Sequence, residues 1–141
     1  MAHTAKICIR TVVTAAKTDT VASAAKKMKQ ANVGCVIVTD GPNPVGIFTE
    51  RDVVNRVVAC DLDPAKTPLS QVMTSKPICV ESGEPLDRVF SLLAEGRFRH
   101  VPITEGGQVV GIVSLSDVAK VLKPVFQEDK YTQYFVDFLD K

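Results

Sequence analysis

Residues 45–52 read Val45-Gly46-Ile47-Phe48-Thr49-Glu50-Arg51-Asp52, and residues 110–117 read Val110-Gly111-Ile112-Val113-Ser114-Leu115-Ser116-Asp117. The second stretch follows the first by 65 residues, and the same offset pairs Val36 with Val101 and Gly41 with Gly106 without a gap. A period this long, present only twice in 141 residues, indicates an internal duplication rather than an open solenoid. We therefore predict two copies packed on each other about a pseudo-twofold axis, with any ligand bound where the copies meet.

Length and composition are those of an ordinary globular protein. Hydrophobic residues make up 45% of the chain, charged residues 23%, and the formal net charge is +1. One copy of about 60 residues would bury only roughly 60% of its unfolded surface alone, so the copies are expected to need each other. The small net charge offers no field for nucleic acid, and no stretch approaches the roughly 20 apolar residues of a membrane span. Because the first residues contain no secretory signal, we expect a cytoplasmic protein that binds neither nucleic acid nor membranes.

Hydrophobic spacing predicts one amphipathic helix at the same place in each copy. Apolar residues recur at i, i+3, i+4 and i+7, which is the pattern of a helix with one buried face. These residues are Val21, Ala24, Ala25 and Met28 in the first copy and Leu86, Val89, Phe90 and Leu93 in the second. Asp19 is expected to cap the first helix, while Asn32 and Gly96 are expected to end the two helices.

A hairpin and a second helix follow in each copy. Runs rich in β-branched residues on either side of a turn predict hairpins that pair 33–38 with 45–48 and 98–103 with 109–113. Short apolar pieces at 7–13 and 78–80 add one strand to each copy. The buried side of the second helix is marked by Val53, Val54, Val57 and Val58, and in the other copy by Val118, Val121 and Leu122. The fold class is therefore α/β, with two β-α-β-β-α repeats and a C-terminal helix.

The predicted organisation has four parts. The first repeat spans 6–60, a polar and proline-bearing connector spans 61–68, and the second repeat spans 69–123. The connector is expected to be exposed loop with at most one helical turn. Within 124–141, Tyr131, Tyr134, Phe135 and Phe138 have helical spacing, so they predict an amphipathic helix that must cover apolar surface.

The four cysteines do not suggest a disulfide framework or a metal site. They are widely spaced and include no C-x-x-C pair. Cys8, Cys35 and Cys79 lie in apolar, strand-like surroundings, which favours buried thiols over metal ligands. We assign them no chemistry.

Two pairs of polar residues stand between a predicted strand and a predicted helix. Thr49 and Asp52, like Ser114 and Asp117, have the spacing of a capping box, an arrangement worth about 0.5–2 kcal/mol to a helix. The same groups also suit a nucleotide, because a helix N-terminus favours phosphate and a carboxylate accepts both hydroxyls of a ribose. A glycine three residues before each hydroxyl allows close approach of backbone. The spacing alone leaves both interpretations open.

Residues 46–52, together with Arg99-His100-Val101-Pro102-Ile103, resemble the signature segments of CBS domains, named after cystathionine β-synthase. The resemblance covers about residues 6–123 and is specific because the segments occur in tandem. It implies paired β-α-β-β-α units that bind AMP, ADP, ATP or S-adenosylmethionine in clefts between repeats. It also implies a regulatory, signal-transducing module that forms a homodimer and acts on a protein partner.

The resemblance assigns roles to particular residues. It implies that Asp52 and Asp117 bind ribose, with Thr49 and Ser114 near the phosphate. Arg99 and His100 become candidates for contact with the anion, while Arg51 either contacts it or points to solvent. The adenine would lie against Val36 and Ile37 in one site and against Val101 and Pro102 in the other. The second copy keeps the stretch 72–78, with Lys76 and Ile78, that helps to enclose the base, whereas the first copy departs from it at 8–13.

Two other functions remain open at this stage. In one, the chain is an interaction or scaffold module without a ligand, both polar pairs are only caps, and the dimer surface is the function. In the other, Cys35 and His100 meet as a thiol and imidazole pair, but the sequence supplies neither an oxyanion hole nor an orienting third residue. We therefore expect no catalytic residue, no metal and no required cofactor.

Overall fold

The computed structural model describes residues 12–96, 98–126 and 137, and for 121–126 it describes the backbone alone. The described chain divides into two compact units, Val12–Pro77 and the part that begins at Ile78. Some predictions lie outside the described residues: the strand residues before 12, Cys8, the burial of Val121 and Leu122, and the aromatic helix beyond 126. No described helix is long and apolar enough to cross a membrane.

The first unit is a four-stranded mixed sheet with helices. Its order is β1 (Thr14–Ala16), α1 (Val21–Ala31), β2 (Cys35–Asp40), β3 (Asn43–Thr49), α2 (Glu50–Asp52), a π-helical segment (Val53–Val58), α3 (Leu69–Val72) and β4 (Thr74–Ser75). The strands lie in the order β1-β2-β3-β4. Strand β1 is parallel to β2, and the remaining pairs are antiparallel.

The second unit repeats this arrangement with a three-stranded sheet in the order β5-β6-β7. It contains β5 (Val80–Glu81), α4 (Leu86–Ala94), β6 (His100–Glu105), β7 (Gln108–Ser114) and α5 (Leu115–Phe126). Strand β5 is parallel to β6, and β6 is antiparallel to β7. The prediction of two β-α-β-β-α copies in an α/β fold is confirmed.

Irregular details of the backbone are duplicated as well. Each hairpin has a register shift at the same place, between Val38 and Thr39 in one unit and between Ile103 and Thr104 in the other. The turn between β6 and β7 has positive φ at both Gly106 and Gly107, as a two-residue type I′ turn requires. Because bulges and turns re-aim the strands that follow them, their repetition carries both polar pairs to equivalent positions.

The helix ends differ from the prediction at one residue. Thr20, not Asp19, caps α1, because its hydroxyl accepts from the Ser23 N–H at 3.2 Å. The Asp19 carboxylate instead accepts from the Ala16 N–H at 3.0 Å. Asn32 ends α1 in the left-handed conformation with φ 54°, and Gly96 has φ 77° just after α4, as the sequence predicts.

Each unit has its own hydrophobic core. Helix and sheet residues form both cores, which contain Val21, Ala24, Met28, Val36, Val38, Phe48 and Val57 in the first unit, and Leu86, Val89, Leu93, Val101, Ile103, Val113 and Val118 in the second.

Several residues predicted to be buried are exposed. Ala25 and Phe90, which occupy equivalent positions, lie outside the helix faces that pack on the sheets.

In the second helix of the first unit, fewer valines are buried than predicted. Val57 is buried, but Val54 and Val58 are 60% and 65% exposed. The segment is π-helical, with the Ala59 N–H donating to the Val54 carbonyl at 2.9 Å and the Leu62 N–H to the Val57 carbonyl at 3.0 Å. Only the ridge through Val57 faces the core, so the predicted apolar stripe is too wide.

Two strand boundaries differ from the prediction within the described residues. Val12 and Val13 precede β1, which begins at Thr14, and Cys79 is exposed because it precedes β5 instead of lying within it. Helix α5 continues through Pro124 to Phe126.

The connector has no helix, as predicted, but it is more than a spacer. Its carbonyls at Thr67 and Pro64 accept from the Val21 and Ala22 N–H groups, each at 2.9 Å. These N–H groups open α1 and have no partner within the helix. The connector therefore completes the first unit by capping its first helix.

Gly46 allows the segment 73–74 to lie against β3. A Cβ atom on Gly46 would lie 2.5 Å from the Met73 sulfur and 2.9 Å from the Thr74 carbonyl oxygen. The methionine side chain can move, but the Thr74 backbone is held by its pairing with Ile47. The glycine is therefore needed for packing within the protein.

We expect Gly46→Ala to lower the free energy of unfolding by about 1–3 kcal/mol, because the extra methyl overpacks the β3–β4 edge. Urea denaturation measures this change. Gly83→Ala is the matched control, since a Cβ there meets nothing within 4 Å and the expected change is under about 0.5 kcal/mol. Equal stability of the two variants would contradict the role assigned to Gly46.

Candidate functional site

The polar pair of the first unit closes the junction between β3 and α2. The Asp52 Oδ2 atom accepts from the Thr49 N–H at 3.0 Å and from the Thr49 hydroxyl at 3.2 Å. In return the Asp52 N–H donates to Thr49 Oγ1 at 3.3 Å. This is a reciprocal capping box, and Asp52 is buried, with its side chain 12% exposed.

The pair of the second unit has the same geometry between β7 and α5. The Asp117 Oδ2 atom accepts from the Ser114 N–H at 2.8 Å and from the Ser114 hydroxyl at 2.9 Å. The Asp117 N–H donates to Ser114 Oγ at 3.3 Å. A third polar group, the Ser116 hydroxyl, lies 3.0 Å from Ser114 Oγ, and the sequence analysis did not single it out.

The other oxygen of Asp52 faces an arginine that the sequence analysis missed. The Arg56 Nε atom lies 3.4 Å from Asp52 Oδ1, four residues along the helix. The Arg56 Nη1 atom donates to the Val72 carbonyl at 3.2 Å and to the Met73 carbonyl at 2.9 Å. Asp–Arg spacing of i,i+4 is a sequence signal for such an ion pair. The Arg56 side chain thus joins Asp52 to the segment that leads into β4.

Part of the predicted phosphate-binding capacity at this junction is already used. The Glu50 N–H donates to the Gly34 carbonyl at 3.0 Å, and the Asp52 N–H donates to Thr49 Oγ1. Two of the first three amides of α2 are therefore bonded within the chain. A phosphate here would depend on the hydroxyl and on nearby cations more than on the amides of the first turn.

Strand pairing brings one predicted anion-binding residue close to the second polar pair. His100 is half-buried at the start of β6 and lies directly across from Ser114 in the β6–β7 register. In the first unit the corresponding neighbours are Cys35 and Thr49. Arg99 precedes β6 and is exposed, so its guanidinium is open to a ligand.

The predicted adenine-contacting residues lie in central strands and are buried. The side chains of Val36 and Val101 belong to the two cores, so they leave only backbone for a ligand. Ile37 and Pro102, one position along, are also buried. Their backbones differ in one respect, because proline has no N–H to donate.

This difference changes the pairing of the first strand in each unit. The Ile37 N–H donates to the Val13 carbonyl at 2.9 Å. The equivalent residues of the second unit are Pro102 and Ile78, which cannot form that bond. Strand β5 pairs with β6 only at Val80 and Glu81. The Ile78 carbonyl therefore loses the donor that its counterpart uses.

The stretch 72–78 pairs with the sheet of the first unit, a contact that the sequence did not predict. Thr74 and Ser75 pair with Ile47 and Gly46 at the edge of the first unit's sheet. By its position in the sequence this stretch belongs to the second copy, while its strand partner is β3 of the first. Strand pairing is a tertiary contact, so the order of the sequence does not reveal it.

The remaining candidates are exposed. Lys76 follows β4 with a left-handed φ of 51°, and its N–H donates to the Val45 carbonyl at 3.3 Å. Ile78 is 43% exposed, and Arg51 points outward from α2. All three side chains are accessible to a ligand.

Among the described residues, the cysteines and acidic side chains do not build a second chemical site. Partial desolvation raises the pKa of the Cys79 thiol, and the negative charge of Glu81 raises it further, so the thiol is a weaker nucleophile at neutral pH. Cys35 is buried and Cys60 is exposed. In the part of the chain that the structure describes, no group of three or more His, Cys, Asp or Glu could hold a metal ion.

The order of elements, the duplicated boxes and the Arg-His-Val-Pro-Ile strand agree with one family. The family model for the CBS domain matches the chain twice, at residues 5–59 and 69–124. The chain belongs to the CBS domain family. Each CBS repeat carries one of the two polar pairs described above.

Similar CBS proteins include relatives and solved structures. The chain is 41% identical over 103 residues to the uncharacterised protein YlbB of Bacillus subtilis (strain 168), covering 72% of this chain and 69% of that protein. A CBS domain protein from Pyrobaculum aerophilum complexed with AMP is 27% identical, with a TM-score of 0.74 and coverage of 82% and 89%. A hexameric CBS-CP12 protein from bloom-forming cyanobacteria is 32% identical, with a TM-score of 0.79 and coverage of 92% and 77%. The chain spans only 19% and 18% of the length of two CBS domain-containing relatives from Arabidopsis thaliana.

We expect Thr49→Ala and Ser114→Ala each to lower the free energy of unfolding by about 0.5–2 kcal/mol, because each change removes an N-cap acceptor. Urea denaturation gives the values. Thr18→Ala, at an exposed turn residue, is the control and should change stability by less than about 0.5 kcal/mol. If both box variants behave like the control, the boxes do not stabilise the two junctions.

Proposed function

We propose that this CBS pair is a regulatory module that binds an adenosyl ligand, AMP, ADP, ATP or S-adenosylmethionine, and passes its occupancy to a protein partner. The observation that carries the proposal is the repetition of one hydroxyl–carboxylate pair, with matching geometry, at equivalent strand–helix junctions. A similar CBS protein that has been solved in complex with AMP supports the choice of ligand class.

The geometry of each box suits recognition of a ribose. A carboxylate has about four lone-pair positions, and the Thr49 N–H and hydroxyl use the two on Asp52 Oδ2. Acceptor capacity remains on Oδ1, and the box holds it in a fixed orientation. A cis-diol offers two O–H donors to such an oxygen. Asp52 and Asp117 are the proposed ribose-binding residues.

The base and the phosphate have separate candidate contacts. The Ile78 carbonyl, which Pro102 cannot engage, is a suitable acceptor for the amino group of adenine, next to the backbone of Val101. Val36 and Ile37 offer the equivalent strand in the first repeat. For the phosphate, we assign Thr49, Ser114 and four cationic or titratable side chains, which are Arg51, Lys76, Arg99 and His100.

Regulation requires that the ligand favour one conformation over another. A ligand can shift an equilibrium only by its difference in affinity for the two states. At a ligand concentration 100 times its Kd, binding to one state alone stabilises that state by about 2.7 kcal/mol. This is enough to change the affinity for a partner about a hundredfold. We further propose that the module acts in the cytoplasm, as a homodimer, without a required cofactor and without catalysis.

We expect Asp117→Ala to weaken AMP binding by about 2–3 kcal/mol, because two charge-assisted hydrogen bonds to the diol are lost. A thermal-shift panel of AMP, ADP, ATP and S-adenosylmethionine selects the ligand, and titration calorimetry measures its affinity. Asp87→Ala, which removes an exposed carboxylate at the start of α4, is the matched control. Unchanged affinity in Asp117→Ala would show that the ribose assignment is wrong, and no binding to wild type would defeat the proposal.

The second candidate function is a dimeric interaction module without a ligand. One observation favours it: Val54 and Val58 form an exposed apolar pair, while both boxes are satisfied as caps. The hexameric relative shows that a similar CBS protein assembles with copies of itself.

We expect Val54→Lys with Val58→Lys to shift the particle from dimer to monomer while changing stability by less than about 0.5 kcal/mol, because both positions are exposed. Multi-angle light scattering measures the mass, and urea denaturation measures the stability. The control pair is Gln30→Lys with Ala31→Lys, at exposed positions near the end of α1. Dissociation together with a failed ligand panel would favour the scaffold, and an unchanged mass would exclude this surface as the dimer contact.

A further inference from the structure

Arg56 connects two parts of the first unit that are distant in sequence. Its Nε atom lies 3.4 Å from Asp52 Oδ1, and its Nη1 atom donates to the carbonyls of Val72 and Met73 at 3.2 and 2.9 Å. The Met73 N–H in turn donates to the Leu69 carbonyl at 2.8 Å. One guanidinium therefore spans the candidate ribose carboxylate and the segment between α3 and β4.

The second repeat lacks this arginine. The residue 65 positions after Arg56 is Val121, which carries no charge and no donor. The hydroxyl and the carboxylate of the box are kept at the same offset, as Ser114 and Asp117. The two repeats thus share the residues proposed to bind the ligand but differ in the group beside the first carboxylate.

We propose that Arg56 is a positioning residue that competes with the ligand at the Asp52 site. A diol that binds Asp52 displaces Arg56 from the carboxylate, and Arg56 then holds the segment 72–76 less firmly. This inference rests on the proposed function and adds a difference between the two sites. It also gives the first site a physical connection to the chain that leads into the second unit, which begins at Ile78.

The competition follows from counting acceptors. Oδ2 of Asp52 already accepts two donors from Thr49, so a diol must use Oδ1. That oxygen faces the Arg56 guanidinium. When the diol takes Oδ1, the Arg56 guanidinium loses its direct contact with the carboxylate and keeps its bonds to the two carbonyls of the segment. Once its contact with Asp52 is lost, the Arg56 side chain is less restrained and binds the Val72 and Met73 carbonyls less firmly. The segment 72–76 therefore opens more often.

The first test needs no ligand. Asp52→Asn keeps an acceptor for the Thr49 donors but removes the charge that Arg56 faces. We expect amide exchange at Met73 and Lys76, followed by NMR, to rise roughly two- to fivefold, the range for a partly exposed ion pair. In an Arg56→Met background, Asp52→Asn should cause no further rise.

Two controls separate this local effect from general destabilisation. The Lys17 N–H donates to the Thr39 carbonyl at the far side of the same sheet, and its exchange should not change. Arg88→Met, at an exposed arginine of α4, should leave the exchange of Met73 and Lys76 as in wild type. Unchanged exchange at Met73 and Lys76 in Asp52→Asn, or an equal rise with Arg56 absent, would overturn the proposal.

The second test uses adenosine, which has no phosphate that Arg56 could attract. In an Asp117→Asn background, which leaves only the first site with its carboxylate, Arg56→Met should strengthen adenosine binding roughly two- to fivefold by calorimetry. Weaker or equal binding would overturn the competition. If neither background binds adenosine or AMP, the proposed function fails, while the exchange result without ligand still decides whether Arg56 connects Asp52 to the segment.

Discussion

The reciprocal bond between a hydroxyl and a carboxylate at a strand–helix junction is the constraint on which both repeats depend. At Thr49 and Asp52, and again at Ser114 and Asp117, one carboxylate oxygen takes both donors of the residue that ends the strand. This fixes the direction in which the chain leaves the sheet. It also fixes the orientation of the second oxygen before any ligand arrives, so a structural cap and a binding group are compatible in one side chain.

Elements that follow from local spacing could be predicted, and those that depend on tertiary neighbours could not. The 65-residue offset and the spacing of apolar residues predict the β-α-β-β-α order, because both can be read along the sequence without knowledge of tertiary contacts. The exposure of Val54, Val58 and Phe90 depends on which helix face meets the sheet. The spacing of apolar residues does not show how much of an apolar face is buried. Thr20 replaces Asp19 as a cap because adjacent residues are both good caps and the backbone selects between them.

In the candidate site, too, local spacing was predictable from the sequence and tertiary contacts were not. The residues of both boxes were predicted from their spacing, and the structure brings each pair together. Arg56 has the i,i+4 spacing of an ion pair with Asp52, a signal that the sequence contained. Its bonds to the Val72 and Met73 carbonyls were not predictable, because they arise from a chain reversal across the connector. The pairing of 74–75 with β3 is unpredictable for the same reason.

Duplication followed by divergence explains why the two sites differ. The backbone that positions each carboxylate is kept, down to the bulge in each hairpin, so changes accumulate in the neighbouring side chains. Arg56 faces the first carboxylate, whereas a serine hydroxyl and a histidine lie beside Ser114 in the second repeat. In the proposed function, two carboxylates with the same geometry but different neighbours would bind one ligand with different affinities. Such a pair would respond over a wider range of ligand concentration than two identical sites, which would suit the proposed regulatory role.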